Sequence, residues 1–112
     1  MLNRIQPKPV HVTIIDDSTV ELCDANCGID WSKPEAVDLA RQRISERFGD
    51  RAELEYLDLP NARRTKRLHD IREKIAGLPM PVLLSNGHPR IAGEFDTRQL
   101  LDVIEVDLET EV

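Results

Sequence analysis

The chain predicts an α/β fold with a mixed four-stranded sheet and three helices, and three observations along its 112 residues carry that prediction. Short apolar or β-branched runs alternate with longer segments whose apolar residues recur at helical spacing. The first two strand-like runs are separated by a helix-length segment, which implies a parallel pair joined by a right-handed crossover. The last two are separated only by Asn86-Gly87, a strong hairpin signal and therefore an antiparallel pair. The order read from the chain is β-α-β-α-β-β-α, and the length suits one domain over residues 1–112, with 1–9 and 109–112 expected to fray.

Each element has its own reason. Val10-His11-Val12-Thr13-Ile14-Ile15 is β-branched and apolar, bounded by Pro9 and by Asp16-Asp17, and reads as a buried first strand. Residues 18–31 have no helical period and read as a loop. Ser32, with Glu35 three positions on and Pro34 in the first turn, reads as a capping box. The helix it opens carries Val37, Ala40, Ile44 and Phe48 on one face and stops at Gly49. Leu54 to Leu59 is the second strand, ended by Pro60. Asn61 is the expected cap of a second helix with an inward stripe of Leu68, Ile71, Ile75 and Leu78, ended by Gly77 and Pro79. Pro81 to Ser85 and Pro89 to Ala92 form the hairpin, and Gly93 breaks the return strand. Asp96 with Gln99 is a second box, opening a third helix that turns Leu100, Leu101, Ile104 and Leu108 inward.

Composition narrows the function. The formal charge is −6, from 15 basic and 21 acidic side chains. That balance argues against nucleic acid or an anionic membrane as a partner. Apolar runs reach only four or five residues, too short to span a bilayer. Met1 to Pro9 is polar and lacks an apolar secretory core, so a cytoplasmic location is expected.

The chain's two cysteines, Cys23 and Cys27, form a CxxxC pair in the loop after the first strand. In a reducing compartment such a pair is catalytic, redox-sensing or metal-binding more readily than a structural staple. A disulfide needs Cα atoms roughly 4.4–6.8 Å apart, which a tight loop or one helical turn can supply. Reactivity needs the thiolate. Asp24 opposes it, and no lysine or arginine lies between Glu21 and Ser32. The alternatives are a metal or iron–sulfur cluster shared by two copies of the chain, or two thiols with no turnover in a redox-silent interaction domain. His11, His69 and His88 are scattered, and none lies at ligand spacing from the cysteines.

The element order, with a cysteine pair after strand 1, resembles the thioredoxin-like fold in its minimal, glutaredoxin-sized form. Met80-Pro81-Val82-Leu83-Leu84-Ser85-Asn86-Gly87 followed by Arg90-Ile91-Ala92-Gly93-Glu94 is similar to that fold's cis-proline strand, hairpin and closing segment. Pro81 to Ile104 also resembles part of a small family of uncharacterised bacterial thioredoxin-like proteins labelled disulfide oxidoreductases. The resemblance implies that Cys23 attacks and Cys27 resolves. It implies a cis bond at Pro81, with Pro79 as the rival position, and a backbone at Met80 that pairs with an extended substrate. Two features depart from the family pattern: three residues, not two, separate the cysteines, and the predicted helix start, Ser32, lies five positions beyond Cys27.

Trp31 reads either as a substrate-facing platform beside the pair or, by the commoner use of a lone tryptophan before a helix, as a core staple. Arg63, Arg64, Lys66 and Arg67 suit an anionic group or acidic partner, although such a run is usually a solvated helix face. The resulting expectation is a thiol–disulfide oxidoreductase without a bound cofactor. Its partners would be protein or small-molecule thiols, and it could form a homodimer.

Overall fold

A computed structural model describes residues 9–17 and 30–110. The elements follow the predicted order: β1 (Val10–Asp16), α1 (Pro34–Phe48), β2 (Ala52–Asp58), α2 (Lys66–Ile75), β3 (Val82–Ser85), β4 (His88–Ala92) and α3 (Thr97–Thr110). The sheet order is β2-β1-β3-β4. β1 pairs in parallel with β2 and antiparallel with β3, and β3 pairs antiparallel with β4.

Helices cover both faces of this sheet. On one face Val10, Val12 and Ile14 join Leu54 and Leu83 under α1 and α3, which contribute Val37, Ala40, Ile44, Leu100 and Ile104. On the other, Ile15, Val82 and Leu84 pack under Leu68, Ile71 and Ile75 of α2. The split follows from strand geometry, because successive side chains of β1 point to opposite faces. Val103 on α3 is buried as well, a core position the predicted inward stripe omits. No helix among the described residues is long and apolar enough to cross a membrane.

Local chemistry accounts for the helix starts. The α3 box forms as predicted: Asp96 Oδ1 accepts from the Gln99 N–H at 2.8 Å, and Gln99 Oε1 accepts from the Asp96 N–H at 3.0 Å. The Ser32 box does not form. Pro34 occupies the first turn and Lys33, extended at φ −85° and ψ 126°, becomes the cap residue without a side-chain bond. A residue before proline is pushed into that region, which moves the start past Ser32. Ser32 donates instead to Asp30 Oδ1 from its N–H at 3.0 Å and its hydroxyl at 2.5 Å.

Asn61 does not cap α2 either. It closes a short 3-10 turn, Leu59–Asn61, and gives its amide to Asp58 Oδ2 at 2.6 Å. Thr65 caps α2, accepting from the Leu68 N–H at 3.1 Å. The hairpin turns on Asn86 at φ 50° and Gly87 at φ 86°, the left-handed pair that an Asn-Gly loop supplies. α3 ends at Thr110.

Polar side chains also tie the layers together. Glu55 on β2 accepts from Arg67 of α2 at 2.5 and 3.1 Å, from His11 Nε2 at 3.1 Å and from the Thr13 hydroxyl at 3.4 Å. His11 Nδ1 reaches Glu53 at 2.9 Å. A fully protonated ring donates to both carboxylates. Partial burial works against its charge, yet the bonds to Glu53 and Glu55 raise the His11 pKa above its usual 6.5. The Arg67 hydrogen bond, aided by His11, outweighs burial and lowers Glu55 from 4.5 to about 2.

Two outcomes follow from this packing. Ile14→Ala, at a fully buried site between two covered faces, should cost about 2–5 kcal/mol. Urea unfolding would register it as a lower midpoint with an unchanged slope. For pH, the raised His11 value means the folded chain holds that proton more tightly. Its contribution is full below pH 6.5 and is lost as pH rises through the higher folded value. The lowered Glu55 value gives a contribution that is full above pH 4.5 and lost as pH falls towards 2. Relative to the parent chain, His11→Gln should lose stability at pH 5.5 and much less at pH 9, whereas Glu55→Gln should lose more at pH 6 than at pH 2.5. Thermal unfolding across this range would check both signs.

Candidate functional site

Three chain segments meet at one end of the sheet. The parallel strands β1 and β2 finish together, with Asp16 opposite Asp58. β3 runs the other way, so Val82 pairs with Ile15 and Pro81 stands one step further on, beside Asp16. The carboxylate-terminal ends of parallel strands are where open α/β sheets gather ligands.

The bond between Met80 and Pro81 is cis, so the isomer implied by the resemblance falls at Pro81 and not at its rival Pro79. The Gly93 N–H donates to the carbonyls on either side of Met80, at 3.0 Å to Pro79 and 2.9 Å to Pro81. Among the described residues the N–H and C=O of Met80 itself have no backbone partner. Its side chain is half-buried against the α2 layer. Among the described residues, one residue at the strand end thus offers a backbone donor and acceptor that an extended chain can use.

Cys23 and Cys27 lie outside the described residues. Cys23 is six positions beyond Asp17, and Cys27 is three before Asp30. Both anchors of that segment reach this end of the sheet. The Asp17 N–H donates to Asp16 Oδ1 at 2.9 Å, and the Asp30 carboxylate acts electrostatically on Tyr56. Trp31, just after the segment, is 1% exposed. It stacks on Phe95 at 5.3 Å and donates through Nε1 to the Phe95 carbonyl at 3.3 Å. The ring is a staple in the α1–α3 core, the alternative to a substrate platform.

The surroundings are acidic. Tyr56 donates its hydroxyl to Asp16 Oδ2 at 3.1 Å. Burial raises the phenol's pKa well above its usual range, and the charges of Asp16, Asp58 and Asp30 push it further. Among the described residues three carboxylates therefore act on this one phenol. Sequence reasoning missed Tyr56, Asp16 and Asp58 as neighbours of the site. The available signal was an aspartate closing each of two strands that the crossover made parallel. No group of three or more His, Cys, Asp or Glu side chains placed to hold a metal ion occurs among the described residues.

No family model matches the chain, and no curated protein matches it. Among solved structures it is similar to a protein of unknown function from Staphylococcus aureus, with a TM-score of 0.56 and 16% identity over 93% of this chain and 95% of that one. It is also similar to thioredoxin-2 of a malaria parasite, described as a component of that parasite's protein secretion machinery, at 0.47 and 13% identity over 95% and 99%. The first is a likeness of fold over nearly the whole chain; the second, below 0.5, carries no argument.

Proposed function

We propose that the chain exchanges thiols and disulfides through Cys23 and Cys27, at the sheet end where β1 stops and β3 begins. The observation that carries this reading is the Met80 backbone, which has no backbone partner among the described residues and lies at the same end as both anchors of the cysteine segment. In this reading an extended partner segment pairs with Met80.

The chemistry balances without a cofactor. The Cys23 thiolate attacks one sulfur of a partner disulfide, forming a mixed disulfide and releasing the other partner sulfur as a thiolate that takes a proton. Cys27, deprotonated, attacks the Cys23 sulfur, forming the Cys23–Cys27 disulfide and releasing the second partner sulfur. The partner gains two electrons and this chain loses two. A dithiol reductant returns it to its starting state.

Asp24, adjacent to Cys23 in the chain, sets the expected direction. Carboxylates disfavour thiolates and leave a neutral disulfide untouched. Strongly oxidising pairs stabilise their reduced form, and a carboxylate next to the attacking thiol does the opposite. The pair should therefore donate electrons, with a potential nearer about −270 mV than about −120 mV.

Equilibration with dithiol redox buffers would measure that potential. Cys27→Ser should accumulate mixed disulfides with added partner disulfide, and Cys23→Ser should not. A pair that stays reduced in strongly oxidising buffer would sink the exchange reading, and the reverse trapping pattern would swap the two roles. Replacing the adjacent acid offers an independent check. Asp24→Asn should raise the potential and speed alkylation of the pair at neutral pH, whereas unchanged values would remove the electrostatic argument.

A further inference from the structure

A cavity lies at the opposite end of β1, between α2 and the hairpin, with a volume of about 480 Å³. His11, near the start of β1, lines it, roughly 16 Å of strand from Asp16. Its floor is apolar, from Ile71 and Leu84. Its helical wall presents Lys66, Asp70 and Lys74, spaced four apart and so along one stripe of α2.

Charge decides what such a space would take. Asp70 is the one carboxylate among the lining residues, against Lys66, Arg67 and Lys74. Arg67 is already matched by Glu55, and His11 by Glu53 and Glu55. Among the described residues neither lysine has an ion-pair partner. Lys74 donates to the Gly87 carbonyl at 3.1 Å, which holds its ammonium over the hairpin turn with two N–H groups to spare. The surrounding stretch strengthens the bias. Residues 63–74 hold six of the chain's 15 basic residues and only two carboxylates, in a protein of net charge −6. A concave site lined mainly by one sign of charge concentrates the opposite sign.

We propose that this cavity binds a small polyanion with an apolar body: a phosphate monoester or polycarboxylate of about mononucleotide size, its charges met by Lys66 and Lys74 and its body lying on Ile71 and Leu84. The volume falls within the roughly 300–1,000 Å³ of small-molecule sites. The inference is independent of the proposed exchange chemistry.

The test is a titration of the isotope-labelled full chain followed by backbone amide shifts. The probes are adenosine monophosphate and citrate, with neutral adenosine as control. The two anions separate a phosphate from a carboxylate source. Saturable shifts confined to residues 66–74 and 84–87 are expected for at least one anion, with adenosine at least about tenfold weaker. Lys66→Glu with Lys74→Glu should weaken the anion about tenfold or more, and the milder Lys66→Gln with Lys74→Gln should weaken it less. Both lysines are exposed, so thermal unfolding should stay near that of the parent. Arg43→Glu, on exposed α1 surface, should leave binding unchanged. Absence of saturation up to roughly 10 mM for both anions would overturn the proposal. So would equal binding of adenosine, or reversal variants that bind as the parent does. Binding of poly-glutamate but of neither small anion would overturn it in favour of an acidic protein partner.

Discussion

Burial of β1 on both faces is the constraint from which the rest of the structure follows. Val12 and Ile14 are sealed under α1 and α3, and Ile15 under α2, while β2 and β3 occupy its two edges. A strand enclosed in this way cannot slip by one residue, because every side chain would change layer. Its fixed register places β2 in parallel and β3 in opposition. The C-terminal end of β1 is thereby the start of β3, and Met80-Pro81 is brought beside Asp16. That meeting point is a result of packing, with no local signal of its own.

The two ends of β1 differ in charge because different elements close them. Asp16, Asp58 and Asp30 act on Tyr56 at one end. At the other, α2 brings Lys66, Arg67 and Lys74 over His11 and Asn86. The Glu55–Arg67–His11 network lies between. It takes up Arg67, while among the described residues Lys66 and Lys74 have no ion-pair partner. One network thus fixes α2 against β2 and also separates an acidic end from a basic one.

What the sequence made legible was local. The strands, the Asn86-Gly87 turn and the Asp96–Gln99 box depend on neighbours within four positions, and they form as read. Ser32 and Asn61 failed as caps because nearer chemistry competed. Asp30 and Asp58 accept from them, Pro34 displaces one start, and Thr65 supplies the other. The His11–Glu55 and Tyr56–Asp16 bonds join residues 44 and 40 positions apart, and only the β1–β2 register reveals them. The cysteine pair was the most readable chemistry of all, yet its placement falls outside the described residues. The site is therefore built from its anchors, Asp17 and Asp30, and from Met80 across the sheet. The basic run was readable as a stripe on α2. Its cavity was not, because Leu84, Asn86 and Gly87 complete it from the hairpin.

The division of charge also bears on what each end can engage. If a partner segment pairs with Met80 as proposed, an acidic rim would repel a carboxylate-rich one and favour a neutral or basic one, since like charges in an interface cost affinity and slow encounter. The α2 wall has the opposite preference. One ligand is therefore poorly suited to both ends, and an anion settled over Lys66 and Lys74 would not compete with a peptide at Pro81. Coupling between the ends, where it exists, has to pass through β1 and the Glu55 network that joins them. Because β1 is sealed on both faces and has no room to shift, that coupling is expected to be electrostatic in origin and weak at physiological salt, where charges this far apart are screened.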